Sequence, residues 1–121
     1  MDQDQAAAVR TVPVSIWHNK FRNREGIPVR MLDGYQAGDP QECVFAYESG
    51  PGGPEQLAEE AFGIGNGHPD DDRGARLSER YYGLGLRSVS VGDVVVADGI
   101  PLSVDRAGWT RIGWSFKIVP A

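Results

Sequence analysis

Trp17, His18, Lys20, Phe21, Arg22 and Arg24 interleave aromatic rings with cations over a short span. Rings of this kind stack on bases and cations of this kind neutralise phosphates, so the cluster has the make-up of a nucleic-acid or nucleotide contact. Trp109 and Arg111, beside Gly108, repeat the pairing farther along. A plainer reading competes with it, in which Trp17 is core and the cations solvate a loop. The second chemistry-bearing group is acidic: Glu55, Glu59 and Glu60, then His68, Asp70, Asp71 and Asp72. Carboxylates this dense can hold Mg²⁺ or Ca²⁺, but the spacing matches no EF-hand loop, and adjacent residues cannot all face one ion. Zinc needs three or four good ligands, and the chain has only two histidines and one cysteine. No metal or cofactor is expected, and Asp70 to Asp72 read as a solvated loop that caps a following helix.

Nucleophilic catalysis would need Cys43 or a serine beside a base. Cys43 falls in an apolar run and reads as a small core residue. Ser88 and Ser90, near Arg87 and Asp93, stand at a strand entry where hydroxyls commonly bond the backbone. The glycine-rich GIGNG at 63–67 follows a helix rather than a strand and has no Lys-Ser/Thr pair, so it stops a helix rather than cradling a phosphate. No catalytic residue is assigned, and the chain is expected not to be an enzyme.

The elements that must position these groups follow from length and pattern. A chain of 121 residues builds one core. With 40% apolar and 24% charged residues it has the composition of a folded domain. The formal charge of −5 is unevenly spread: residues 37–82 hold three basic and ten acidic side chains. That acidity argues against non-specific nucleic-acid binding, which rests on Lys and Arg. A single cysteine excludes an internal disulfide, no apolar run is long enough to span a membrane, and the start lacks the pattern of a signal peptide. A cytoplasmic location is expected.

Residues 1–10 read as a flexible tail and 11–121 as one domain. Thr11 to His18 alternates as a strand, and Pro13 points to an early or edge position. Val29 to Tyr35 suits a short strand, and Glu42 to Glu48 is a firmer one. Pro54 opens a helix with Leu57, Ala58, Ala61 and Phe62 on its apolar stripe. Ala75 to Tyr82 forms a second. Val91 to Ala97 is too continuously apolar for an exposed strand, and Asp98-Gly99 is a type I′ hairpin turn. Ile112, Trp114, Phe116 and Ile118 alternate in what reads as the last strand. The order is ββ-αα-βββ: an α+β domain with a mostly antiparallel sheet, curved or a partly open barrel, and two helices.

The stretch Arg87 to Trp109, RSVSVGDVVVADGIPLSVDRAGW, resembles the YodL-like family of small domains of unknown function from plasmids, phages and integrated elements. The resemblance lies in Ser-Val-Ser-Val-Gly-Asp-Val-Val at 88–95, the turn that follows, and Val-Asp-x-x-Gly-aromatic at 104–109. HPDD at 68–71 is similar to the family's lead-in, and PEQLAEEAF at 54–62 looks like actinobacterial members. The resemblance implies no catalytic residues. It implies an accessory protein of a mobile element that binds a protein partner. The acids Glu55, Glu59, Glu60, Asp70, Asp71 and Asp72, on one face, would steer a basic partner. The alternative is nucleic-acid or nucleotide binding through Trp17, His18, Lys20, Arg22 and Arg24 with Trp109 and Arg111.

Overall fold

A computed structural model describes residues 10–120; the expected tail, 1–10, lies almost wholly outside them. The chain forms β1 (Val12–Asn19), a one-turn helix α1 (Arg30–Asp33), β2 (Pro40–Ser49), α2 (Pro54–Ile64), α3 (Asp72–Gly83), β3 (Val94–Ala97), β4 (Ile100–Asp105), β5 (Gly108–Arg111) and β6 (Lys117–Ile118). The strands make one open sheet in the order β5-β4-β3-β1-β2-β6, antiparallel except for the β2–β6 pair. The α+β class is as expected. The sheet does not close into a barrel, because β5 and β6 lie at opposite edges.

The helices form where local chemistry favours them. Pro54 fills the first turn of α2, and Leu57, Ala58, Ala61 and Ile64 make its buried stripe. Asp71 caps α3, its carboxylate accepting the Gly74 N–H at 2.7 Å. Leu77, Ser78 and Tyr81 turn inward from α3. Both helices cover one face of the sheet, against Val14, Ile16, Phe45, Tyr47, Val95, Leu102 and Val104. Ala97 pairs with Ile100 across the Asp98-Gly99 turn, whose φ values of 51° and 83° are those of type I′.

Four expectations change. First, of the two positions Pro13 offered, the early one holds and the edge one does not: Pro13 is the second residue of β1, and β1 is central. Pro13 is tolerated because the β1–β3 ladder begins at Val14, so its missing N–H would have met the turn rather than a strand. Second, Val29 to Tyr35 holds a helical turn instead of a strand; Arg30 is drawn to Asp39 and lies 3.8 Å above the Phe21 ring. Third, Ile112 to Val119 is not one strand. The chain leaves β5 at one edge, crosses the second sheet face and joins the opposite edge as β6. Phe116 is buried on that face with Val94, Val96 and Trp17, which is why β3 is apolar at every position. Extended straps and strands share the same alternation; only the partner distinguishes them.

Cys43 is the fourth. It is exposed, not core. By strict alternation it would face inward with Phe45 and Tyr47, but a bulge shifts the register so that Ile16 pairs with Phe45 and Trp17 with Cys43. One extra residue moves a side chain to the other face.

Gly92 joins the fold to its polar centre. Its φ is +95°, and a Cβ there would lie 2.9 Å from the Arg30 backbone oxygen. Gly92→Ala is therefore expected to lower unfolding free energy by about 1–3 kcal/mol, read as an earlier midpoint in urea. A midpoint equal to the parent's would refute this packing of α1 on the turn.

Candidate functional site

The end of β1 delivers His18 and Asn19 to opposite faces. His18 is buried beneath α3, its Nε2 2.7 Å from the Tyr81 hydroxyl. Tyr81 donates its one proton to the Arg87 carbonyl at 2.6 Å, so the His18 contact must be an Nε2–H donated to the Tyr81 oxygen. Burial, chiefly, holds the imidazole down to about 4; Asp93 pulls against this, and Arg87 and Lys20 add to it. His18 is thus neutral and locked as one tautomer. Burial likewise pushes the Tyr81 phenol up, assisted by Asp93.

Asp93 is fully buried yet saturated. Its carboxylate accepts both Arg87 Nη atoms at 2.8 Å, the Ser90 N–H at 2.8 Å and the Asn19 N–H at 2.8 Å. Those bonds push the Arg87 guanidinium further up. The Asp93 N–H closes the Ser90–Asp93 turn on the Ser90 carbonyl, so Ser-Val-Gly-Asp is a turn that folds its own carboxylate inward. Asp39, also buried, accepts from Asn19 Nδ2, Arg30 Nε and the Gln36 N–H. Asn19 Nδ2 and Gln41 Nε2 share the Gly92 carbonyl, and Gln41 Oε1 has no protein partner among the described residues.

Over this network lies a recess of about 100 Å³ lined by Lys20, Phe21, Arg22, Arg30, Arg87 and Asp93. Chemically it suits a small anion. Three of its four cations are already paired, Arg30 with Asp39, Arg87 with Asp93, and Lys20 with Glu42 at 3.5 Å. Of the sequence candidates only Lys20, Phe21 and Arg22 line it. Arg24 is exposed beyond it. Trp17 lies on the strap face, edge-on to Phe116, and donates to Ser15 Oγ. His18 is sealed below. Trp109 lines a separate recess with Glu59 and Phe62, donating Nε1–H to Glu59 at 2.9 Å, and Arg111 is exposed at the end of β5. The two halves of the aromatic–cationic set therefore do not meet. Arg30 and Tyr81 escape a reading by local clusters; Arg87 and Asp93 enter it only as neighbours of Ser88 and Ser90 at a strand entry.

The acids are brought together in part. Glu59, Glu60, Asp70 and Asp71 line one recess of about 410 Å³ between α2 and the α3 N-terminus, with Glu55 and Asp72 exposed. Glu60 is committed inward: it accepts from Ser49 Oγ at 2.9 Å and pairs with Arg73 at 3.3 Å. Burial and the Glu60 charge push the Tyr47 phenol up. Asp71 is the α3 cap. His68 is exposed, and no group of three or more metal-ligating side chains converges among the described residues. Partial burial pushes the Cys43 thiol up, the opposite of an activated nucleophile. Within the described residues no helix is long and apolar enough to cross a membrane. A scan against protein-family models, a search of curated proteins and a search of solved structures each return no match.

Proposed function

We propose that the chain is a non-enzymatic module that binds a basic segment of a protein partner through the acidic face of α2 and the α3 N-terminus. One observation carries this reading: carboxylates from two successive elements, α2 and the α3 N-terminus, converge on a single recess open to solvent. Acids so placed raise association rates with a cationic partner and fix its orientation. The resemblance at Arg87 to Trp109 supports an accessory role in a phage or plasmid.

The internal duties of Glu60 and Asp71 divide the six acids for a test. Glu55, Asp70 and Asp72 are exposed and can be reversed to Lys without removing a cap or the Glu60–Arg73 pair. Immobilised protein is exposed to host lysate at moderate salt, and a partner retained in stoichiometric amount is identified. The triple reversal is expected to reduce its retention about tenfold or more. Retention unchanged by the reversal rejects this face. Retention of nucleic acid instead, lost when Lys20 and Arg22 are replaced, would support the second reading, in which the cationic recess beside Phe21 takes a phosphate.

A further inference from the structure

Residues 37–82 contain only three cations, Arg73, Arg76 and Arg80, and all lie on α3. Their spacing of i, i+3 and i+7 makes one stripe, about 10 Å long. The stripe faces β2: the Arg73 and Arg80 guanidinium carbons each lie 5.8 Å from a ring centroid, of Tyr47 and Phe45 respectively. Helix and strand enclose a groove of about 360 Å³ lined by the three arginines with Ala46, Tyr47 and Glu48. Arg73 is engaged by Glu60 and by the Glu48 carbonyl, whereas Arg76 and Arg80 form no ion pair among the described residues.

The backbone along this groove is open. β6 pairs only with Pro40 and Gln41, so the remainder of that β2 edge carries no strand among the described residues. The direction of its polar groups follows from β1. Pro13 accepts the Asp98 N–H, so its carbonyl faces the β3 side. Glu48 pairs with Pro13 and must therefore turn its N–H and C=O away from β1, as must Ala46 two residues earlier. The Arg73 guanidinium on the Glu48 carbonyl agrees with that orientation. Exposed edges are usually blunted by charge or proline, yet Val44-Phe45-Ala46-Tyr47 has neither.

We propose that the β2 edge beside α3 is a docking site for an extended acidic segment of a partner protein. The segment adds as a strand, exchanging main-chain hydrogen bonds with Ala46 and Glu48, and places carboxylates at alternate positions against the arginine stripe. Alternate side chains of a strand stand about 6.6 Å apart on one face, a spacing that long arginine side chains bridge. The Arg73–Glu60 pair links this groove to the acidic recess, and the two surfaces select ligands of opposite charge. The groove does not depend on the function proposed for the recess.

The probe is a fluorescent octapeptide, Thr-Glu-Val-Glu-Val-Glu-Val-Thr, with a twin of the same sequence methylated at every backbone nitrogen. Binding to the full chain is read by anisotropy at low salt, and exchange of the Ala46 and Glu48 amides by NMR. The parent peptide is expected to bind and to slow both amides. The double variant Arg76→Glu/Arg80→Glu and the methylated twin should each weaken binding about tenfold or more. Arg76 and Arg80 are exposed, so the variant keeps its core, and its thermal melt is recorded on the same sample. Equal affinity for the variant or the twin overturns the proposal, as does absence of binding at millimolar peptide. Arginine-dependent binding that leaves Ala46 and Glu48 exchange unchanged, with single-stranded DNA competing, also overturns it in favour of a polyanion site.

Discussion

Asp93→Ala is expected to lower unfolding free energy by about 2–5 kcal/mol, because it removes the buried acceptor of two backbone N–H groups and of a half-buried arginine. The carboxylate is wholly enclosed and receives four donors from three residues, two from Arg87 and one each from Ser90 and Asn19. Deleting it leaves the Ser90 and Asn19 backbone N–H groups without acceptors, each at a cost of about 1–3 kcal/mol, and leaves the guanidinium only the Ser88 carbonyl and Ser90 hydroxyl. Small domains have about 5–15 kcal/mol in all, so the variant should be substantially unfolded in mild urea. Asp93→Asn keeps the shape and one acceptor oxygen and should lose less. Arg87→Ala should also lose less, because the Arg87 side chain is 41% exposed and the carboxylate retains its two backbone donors. Urea midpoints for the three variants supply the check. An Asp93→Ala midpoint close to the parent's would show that the turn is held by something other than its carboxylate.

Acidification should be the second large effect. His18 takes up its proton at about 4 in the folded chain, against 6.5 for an unhindered imidazole. Between those values the unfolded chain binds more protons than the folded one, so acid favours unfolding. The His18 contribution is fully present above about pH 6.5 and is lost as pH falls towards 4. From about pH 7.5 to about pH 4.5 the loss is about 2–3 kcal/mol. Carboxylates titrate in the same window, so the comparison is with His18→Gln, whose amide can still donate to Tyr81 but does not titrate. The parent should lose about 2–3 kcal/mol more than that variant over the interval. Parallel stability curves would mean that the imidazole is not held neutral by the fold.

Several features were legible because they depend on neighbours in sequence. Pro54 and the Leu57-Ala58-Ala61 spacing announce α2, Asp98-Gly99 announces the hairpin, and the unbroken valines at 94–96 announce a strand covered on both faces. Other features depend on what lies across a ladder. Whether Pro13 sits at an edge, whether 112–116 is strand or strap, and on which face Cys43 falls are settled by partners many residues away, and one bulge is enough to reverse the last. The candidate sites divide in the same way. The acids cluster in the sequence and mostly cluster in space, since α2 and the α3 cap are adjacent elements. Trp17, His18 and Trp109 scatter, because successive strand residues point to opposite faces and aromatic rings are drawn into whichever core lies nearest.

By itself, then, the sequence determined the element types wherever periodicity and turn chemistry act over a few residues, together with the α+β class and the concentration of acid in the middle third. Tertiary structure alone decided the strand order, the enclosure of the His18–Tyr81–Arg87–Asp93 network and the alignment of three arginines with an open β2 edge. The physical reason is separation along the chain. His18 meets Tyr81 across 63 positions and Asn19 meets Asp93 across 74, and such pairings are selected by packing of the whole core rather than by the preference of any local segment.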